Sequence, residues 1–318
     1  MGENKIHSRM EYAHYAAIDI GSNAVRLLIK RLDDDARGQF SKDVMMRVPL
    51  RLGQDVFTKG RVSAKKIRHL TELMRAFKIV MGIYEVKEEN SRVCATCALR
   101  EAANAEDIVR AIREEAGLNV EVISGKEEAA IVCGLRSPQD KRKLVYVDVG
   151  GGSTEVSILS GGRLFDSKSY PIGTVKIINR VEPGNWRDSL TTDLRALATK
   201  FAIQNHSNAT MTNATIVGAG GNINKLFALA QERDPDEQSM PVRQLRLLYD
   251  SLASMTVSQR MTRYKLKADR ADVIVPAAEI FLTIADALGI SEIEIPSDGL
   301  ADGIIVGIWQ KQKKIEMI

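Results

Sequence analysis

Hydrophobic and polar residues alternate in strand-like and helix-like patterns along the whole chain. In the first half, short apolar runs predict strands at residues 15–20, 25–31, 44–50, 92–95 and 120–123. Between them, apolar residues at helical spacing predict a long helix with Ser63 as its N-cap and Gly82 as its end. A second helix is predicted from an Asn104 cap to Gly117. Strands interleaved with helices are typical of α/β domains.

The second half begins with a similar strand pattern. It follows the polar, proline-containing stretch from Ser137 to Lys141, which we interpret as a domain junction. Apolar runs then predict strands at 144–149, 155–159, 163–167 and 215–217, with helices in most of the remainder. We therefore expect an N-terminal domain at residues 1–136 and a C-terminal domain at 137–318, whose final helix could pack back on the first domain.

Two short segments are near copies of each other: Ala17-Ile-Asp-Ile-Gly-Ser and Val147-Asp-Val-Gly-Gly-Gly-Ser. In each, an apolar strand ends in an aspartate, Asp19 or Asp148, and a glycine-rich turn leads at once into another strand. Glycines in such a turn expose backbone N–H groups and permit positive φ, so the turn can wrap around an anion. An aspartate beside phosphate repels it and can assist only through a divalent cation. One copy in each half predicts a duplicated fold with a phosphate-binding cleft.

Composition narrows the class of protein. Hydrophobic residues make up 44% and charged residues 27%, as is typical of soluble globular proteins. The net charge is only +4, with basic and acidic residues interleaved, which does not indicate a nucleic-acid partner. No apolar run is long enough to span a bilayer, and the first residues lack the apolar stretch of a secretory signal. We expect a cytoplasmic protein with no membrane partner.

The three cysteines cannot all pair, which fits a reducing compartment. Cys94 and Cys97 form a CxxC motif, but neither Cys133 nor any of the four histidines lies at ligand spacing from it. We interpret the pair as small residues in and just after a buried strand. A metal or redox site is the less favoured alternative.

Two charged residues outside the glycine turns are candidates for chemistry. Ser124 and Glu127 have the spacing of a capping box, which leaves the adjacent Glu128 without a structural task. Glu128 lies about 100° further around the helix and could face the cleft, where a carboxylate can orient or deprotonate water. The alternative is a solvated acid in the first helical turn. Arg100, between a strand and a helix, can clamp a phosphate or lie at the surface.

A third glycine cluster, Val217-Gly-Ala-Gly-Gly-Asn-Ile-Asn, joins a predicted strand to a helix. A turn of this kind points the N–H groups of a helix N-terminus at a ligand. Taken alone it is a weak signal, because such turns serve many purposes.

In combination and in this order, five motifs resemble those of the exopolyphosphatase / guanosine pentaphosphate phosphohydrolase (Ppx/GppA) family. They are Ala17-Ile-Asp-Ile-Gly-Ser-Asn with Arg26, Ala95-Thr-Cys-Ala-Leu-Arg-Glu-Ala, Ile123-Ser-Gly-Lys-Glu-Glu-Ala, Val147-Asp-Val-Gly-Gly-Gly-Ser-Thr-Glu and Pro171-Ile-Gly-Thr-Val. The resemblance implies an α/β, duplicated actin-like (ribonuclease H-like) two-domain fold of the ATPase superfamily with an interdomain cleft. It also implies the short form without a C-terminal HD-type domain, and a homodimer, since many relatives are dimers.

The resemblance assigns roles to residues of this chain. Glu128 matches the catalytic base, with Glu155 and Arg100 in the catalytic set. A metal, Mg²⁺ or another divalent cation, would be held by Asp148, Glu155 and Asp19. The phosphate contacts would be Ser22, Asn23, Arg26, Gly150, Gly151, Gly152 and Ser153.

Three positions depart from the family's pattern. Cys97 stands where a serine is usual, and Ala301 stands where an arginine is common. The segment Gly218-Ala-Gly-Gly-Asn replaces a small-polar-glycine-threonine form, which puts the ligand contact of that loop in question.

The resemblance predicts Mg²⁺-dependent hydrolysis of the terminal phosphate of inorganic polyphosphate, with release of orthophosphate. The nearest alternative substrate is pppGpp, at its 5′ γ-phosphate. A non-catalytic sensor of polyphosphate or nucleotide and a kinase of the same fold are further alternatives. The three carboxylates Glu128, Asp148 and Glu155 argue against a sensor, because a simple anion binder gains nothing from negative charge beside its ligand.

Overall fold

The computed structural model describes residues 12–135, 140–182, 184–204, 211–230, 238–296 and 298–316. They form two α/β domains, each built around one sheet. The predicted domain boundary, between residues 136 and 137, lies outside the described residues, as does most of the predicted junction. The exact limits of the two domains therefore stay a prediction.

The first sheet has five strands: β1 (His14–Ile20), β2 (Val25–Asp34), β3 (Gln39–Val48), β4 (Ser91–Ala95) and β5 (Val120–Val122). Their order is β3-β2-β1-β4-β5. The pairs β1–β2 and β2–β3 are antiparallel, whereas β1–β4 and β4–β5 are parallel. The helices of this part are α1 (Leu52–Lys59), α2 (Ala64–Ile83), α3 (Cys97–Glu101), α4 (Ala105–Ala116) and α5 (Gly125–Cys133).

The second sheet has six strands: β6 (Lys143–Val149), β7 (Thr154–Ser160), β8 (Arg163–Tyr170), β9 (Thr215–Ala219), β10 (Ser239–Pro241) and β11 (Glu292–Glu294). Read from β8, their order is β8-β7-β6-β9-β11-β10, with the β6–β7 and β7–β8 pairs antiparallel and β6–β9 and β9–β11 parallel. The first five positions repeat the order and the directions of the first sheet. The predicted duplicated, actin-like fold is confirmed, with β10 added at one edge.

The helices of the second part are α6 (Thr174–Ile178), α7 (Trp186–Gln204), α8 (Gly221–Leu229), α9 (Val242–Ala253), α10 (Val257–Tyr264), α11 (Ala268–Ala271), α12 (Ile274–Leu288) and α13 (Leu300–Glu316). Within the described ranges, no helix is long and apolar enough to cross a bilayer. Helix α12 is instead the central core helix of this domain, with Ile280, Phe281 and Ile284 fully buried.

Helix α13 lies against the sheet of the first domain. Its Ile304 and Ile305 share a buried cluster with Tyr15 of β1 and Leu28 of β2. The Tyr15 hydroxyl donates a hydrogen bond of 2.8 Å to Gln312 near the end of the helix. The chain therefore returns to its first domain after completing the second.

Two predicted caps differ from the structure although their helices begin where predicted. Ser63 precedes α2 but makes no side-chain hydrogen bond to it. The Asn104 carboxamide does not cap α4, because it bonds the backbone N–H and carbonyl of Val62, each at 3.0 Å. It therefore fixes the segment before α2 instead.

Candidate active site

The turns of the β1–β2 and β6–β7 hairpins both line a cavity of about 280 Å³. All the predicted site residues line this cleft except Arg100 and Gly152. The cleft is where the two domains meet, so its shape depends on both.

The two hairpins have the same construction. In the first, the Gly21 N–H donates to the Ala24 carbonyl at 3.1 Å. In the second, the Gly150 N–H donates to the Ser153 carbonyl at 2.9 Å. Both turns are thus closed by an equivalent hydrogen bond next to an aspartate, as the paired sequence motifs suggest.

The glycines of these turns serve close packing rather than unusual backbone angles. Glycine permits a positive φ, but neither Gly21 nor Gly150, Gly151 or Gly152 adopts one. A Cβ atom at Gly151 would lie 2.8 Å from the Cβ of Ser22 in the other turn. One at Gly152 would lie 2.5 Å from Cys97 Sγ and would collide with the Phe57 ring. The absence of side chains therefore lets the two turns touch.

Glu128 lies in the first turn of α5 and is buried at the cleft. The helix is capped by Ser124, whose hydroxyl accepts from the Glu127 N–H at 3.2 Å. The Glu127 carboxylate bonds Arg92 at 2.9 Å, outside the cleft. The two neighbouring glutamates thus point to different surroundings, and the one without a structural task is the one in the cleft.

Arg100 contacts two of the carboxylates but does not line the cleft itself. Its Nη1 donates to the Ile123 carbonyl at 2.8 Å and to Glu128 Oε2 at 3.3 Å. Its Nη2 is 3.8 Å from Glu155 Oε1. The guanidinium therefore links the two glutamates, and its predicted contact with phosphate stays a prediction.

Three carboxylates at the cleft have raised pKa values. Burial, followed by repulsion from Glu155 and Asp148, raises the pKa of Glu128 well above its usual range. Burial and Glu155 raise the pKa of Asp148 to about 7. Burial also raises the pKa of Glu155, although hydrogen bonds from Ser153 and Ser169 oppose that rise. Neighbouring groups do not fully neutralise the negative charge of these three carboxylates. Carboxylates with pKa values shifted in this way are characteristic of functional sites.

Two of the cleft carboxylates are arranged so that they could bind a divalent cation. Among the described residues, no three His, Cys, Asp or Glu side chains form a group that could hold a metal by itself. Asp19 is committed to Arg26 at 2.7 Å, which leaves Asp148 and Glu155. Mg²⁺ is commonly bound by one or two carboxylates together with substrate phosphates. The Asp148–Glu155 pair fits a cation of that kind, because a positive charge there would relieve both raised pKa values.

The CxxC cysteines have the environment of packed side chains. Cys94 and Cys97 are both buried, and burial raises the pKa of each thiol to about 12. A reactive thiol requires a lowered pKa. These environments favour the interpretation as small packed residues.

The cleft also has a basic cluster, formed by Arg26 and by two residues that the sequence did not single out, Arg47 and Arg270. Arg26 pairs with Asp19 at 2.7 Å, and Arg47 pairs with Asp269 at 2.6 Å. Within the described part of the chain, no carboxylate lies at ion-pair distance from Arg270. Burial, Arg47 and Arg26 lower the pKa of its guanidinium to about 9. Buried positive charge without a counter-ion is a site for an anionic ligand.

The third glycine cluster joins the site more closely than its sequence indicated. Gly220 has φ 89°, and a Cβ there would lie 2.5 Å from Asp148 Oδ1. A Cβ at Gly221, the first residue of α8, would lie 2.5 Å from Arg270 Nη2 and 3.1 Å from Arg26 Nη2. This turn therefore lies beside both Asp148 and the basic cluster. In the sequence, the two consecutive glycines before a predicted helix were the signal that this turn could belong to the site.

A model of the Ppx/GppA phosphatase family matches residues 35–312. Among curated relatives, a bifunctional 3-dehydroquinate synthase/phosphatase of Fusobacterium nucleatum is 24% identical over 310 residues, covering 93% of this chain and 47% of the relative. A guanosine-5′-triphosphate,3′-diphosphate pyrophosphatase of Photobacterium profundum is 26% identical over 310 residues, covering 94% of this chain and 60% of the relative. The chain thus spans 47% to 60% of the length of these relatives.

Solved structures agree in fold. A Ppx/GppA family member of Aquifex aeolicus has a TM-score of 0.74 at 25% identity, covering 95% of this chain and 99% of that one. An exopolyphosphatase of Cytophaga hutchinsonii has a TM-score of 0.77 at 20% identity, covering 94% of this chain and 98% of that one. The second similarity concerns the fold alone.

Proposed function

The chain belongs to the Ppx/GppA phosphatase family, and on that premise we propose that it is an exopolyphosphatase, which releases orthophosphate from the end of inorganic polyphosphate. The observation that carries the proposal is the polarity of the cleft. The carboxylates Glu128, Asp148 and Glu155 line the cleft together with the arginines Arg26, Arg47 and Arg270. A ligand that reacts beside the carboxylates and carries further negative charge beside the arginines matches both groups.

Polyphosphate has these properties because every phosphate unit along the chain is charged. The hydroxyls of Ser22 and Ser153 and the N–H groups of the glycine turns would bind the terminal phosphate. The arginines would bind units further along, through charge-assisted hydrogen bonds. One set of contacts therefore positions the terminal phosphate for reaction, and the other set binds the rest of the polyphosphate chain.

The reaction is an in-line attack of water on the terminal phosphorus. The oxygen of water forms a bond to phosphorus, the bridging P–O bond breaks, and the electron pair leaves with the shortened chain. Glu128 accepts the proton from water, a task suited to a carboxylate whose pKa is raised towards the working pH. A divalent cation bound through Asp148 and Glu155 would supply charge neutralisation at the phosphoryl oxygens.

Phosphate release from four substrates tests the proposal. Long-chain polyphosphate, tripolyphosphate, pppGpp and ATP are each supplied with Mg²⁺, and a parallel series replaces Mg²⁺ with EDTA. We expect release from the two polyphosphates and its loss in EDTA. Activity on pppGpp alone would overturn the choice of substrate.

Hydrolysis of pppGpp is the second candidate. The Photobacterium profundum relative carries a name for this class of nucleotide, and the basic cluster could accept a second phosphate group on one molecule as well as a later unit of a chain. The substrate series separates the two candidates, because only polyphosphate hydrolysis proceeds without a nucleoside.

The remaining alternatives require different assays. Binding of tripolyphosphate without release of phosphate, over several divalent metals, would favour a sensor. Transfer of phosphate to ADP would reveal a kinase. A homodimer in the cytoplasm is the assembly and location that we propose, to be checked by light scattering in solution and by cell fractionation.

A further inference from the structure

Asn222 connects strand β6 to Arg270 through its carboxamide. It is the second residue of α8 and is only 8% exposed. Its Nδ2 donates to the Val149 carbonyl at 3.0 Å, and its Oδ1 accepts from Arg270 Nη1 at 2.6 Å. Val149 lies between Asp148 and the second glycine turn. One side chain thus joins the strand that carries Asp148 to a guanidinium of the basic cluster.

Arg270 needs such a partner because its neighbours repel it. Burial, Arg47 and Arg26 disfavour its charge, and Asp269 offsets them only in part. Within the described residues its side chain has no ion pair. The bond to Asn222 is the hydrogen bond its guanidinium makes in that part of the chain. A guanidinium has five N–H donors, so most remain available to a ligand while one nitrogen is held.

The neutral character of the partner matters as much as its position. A carboxylate at position 222 would also bond Arg270, but it would neutralise the charge that attracts an anion. An amide holds the guanidinium and leaves its charge intact.

We propose that Asn222 is a positioning residue for substrate affinity, which holds Arg270 in the orientation that binds a phosphate unit remote from the bond being cleaved. The proposal rests on the proposed function, since it concerns the same phosphate chain. A merely structural asparagine would instead stabilise the protein without a selective effect on phosphate binding.

The test uses Asn222→Ala and Asn222→Asp, with Asn119→Ala as the matched control. Asn119 Oδ1 accepts from Arg113 Nε at 3.0 Å, which is the same kind of bond at an exposed site of the first domain. Removal of a hydrogen bond to a charged group corresponds to roughly tenfold to a hundredfold in an equilibrium constant. We expect Asn222→Ala to raise the KM for tripolyphosphate about tenfold with kcat within about threefold. Asn222→Asp should raise KM further, and Asn119→Ala should match the wild type.

Calorimetric titration with tripolyphosphate makes the test independent of turnover. Each substitution is placed in the Glu128→Gln background, and circular dichroism confirms that each variant is folded. A tenfold higher Kd for Asn222→Ala, and a still higher Kd for Asn222→Asp, would support the proposal. This holds even if the wild type hydrolyses no substrate, and in that case only the proposed function fails. Unchanged Kd in both variants, tighter binding by Asn222→Asp than by Asn222→Ala, or no tripolyphosphate binding by the parent protein would overturn it.

Discussion

Glu155 lies directly opposite Asp148 in the β6–β7 hairpin, as its register partner. The equivalent partner of Asp19 in the β1–β2 hairpin is Arg26. One duplicated position thus forms an ion pair, whereas the other places two carboxylates side by side. The repeat retains its backbone geometry in both halves, but its charge is balanced in the first and unbalanced in the second. We infer that the second hairpin carries the chemistry and the first supports binding.

Replacement of Asp148 by Asn should stabilise the protein at high pH. The pKa of Asp148 is about 7 in the folded state, above the ordinary value of 3.8. The folded state therefore binds more protons between those values, and stability falls as pH rises from about 4 to about 7. We expect Asp148→Asn to raise the free energy of unfolding by roughly 2–4 kcal/mol at pH 8 and to change it little at pH 4. Denaturant unfolding in EDTA at both pH values measures this.

Asp19→Asn is the control from the other repeat, and its expected sign is opposite. Removing the Asp19 carboxylate leaves the Arg26 guanidinium without its ion pair at 2.7 Å, which destabilises the fold. If both Asp148→Asn and Asp19→Asn destabilise the protein at pH 8, the carboxylate of Asp148 is not the unbalanced charge that we infer for the second hairpin.

Ser169 should affect turnover although it does not line the cleft. Its hydroxyl donates to Glu155 Oε1 at 2.9 Å, the same oxygen that accepts from Ser153 at 2.7 Å. We expect Ser169→Ala to lower kcat about tenfold, because Glu155 loses a hydrogen bond to its charged form. Steady-state phosphate release gives the comparison.

Ser167→Ala is the control for this change. Ser167 lies two residues earlier on β8 and shares a hydrogen bond of 2.9 Å with the Ser157 hydroxyl, so its loss affects no carboxylate directly. Equal kcat in both variants would show that Glu155 does not depend on Ser169.

Gly152→Ala should damage the cleft through packing alone. The added Cβ would lie 2.5 Å from Cys97 Sγ and would overlap the Phe57 ring, so the turn or its neighbours must move. We expect a loss of about 1–3 kcal/mol in the free energy of unfolding, together with reduced activity. Thermal unfolding and phosphate release measure the two effects.

A glycine of α2 provides the contrast. A Cβ at Gly82 would meet no atom within 4 Å, and Gly82→Ala should stabilise the helix by about 0.5–1 kcal/mol. Equal tolerance at both positions would mean that the second turn does not require its close packing against Phe57 and Cys97.

Local patterns in the sequence predicted the features that depend on local structure. Apolar runs located the central strands, and the paired Asp–Gly turns predicted the duplication. The short helix α1 was missed because Arg51, the residue before it, has φ 52° and provides no side-chain cap. Strands β10 and β11 were missed because each has only three residues, too few to show an alternating pattern.

Arg47 and Arg270 could not be predicted as site residues because they come from distant parts of the chain. Arg47 lies on β3, and Arg270 lies on the four-residue helix α11 of the other domain. Each is an ordinary basic residue in its own segment, and only tertiary packing brings them beside Arg26, which the sequence did indicate. The close approach of Gly151 to Ser22 could not be predicted for the same reason, since it is also a long-range contact.

Glu128 is the residue that we propose as the base that activates water. The most direct measurement is kcat for phosphate release by Glu128→Gln, with the Kd for tripolyphosphate measured alongside and Glu127→Gln as the control. Glu127 is adjacent in sequence but exposed and bonded to Arg92. We predict that Glu128→Gln lowers kcat by roughly 10²-fold or more with Kd unchanged, and that Glu127→Gln behaves as the wild type. A kcat near the wild-type value in Glu128→Gln would show that Glu128 is not the base.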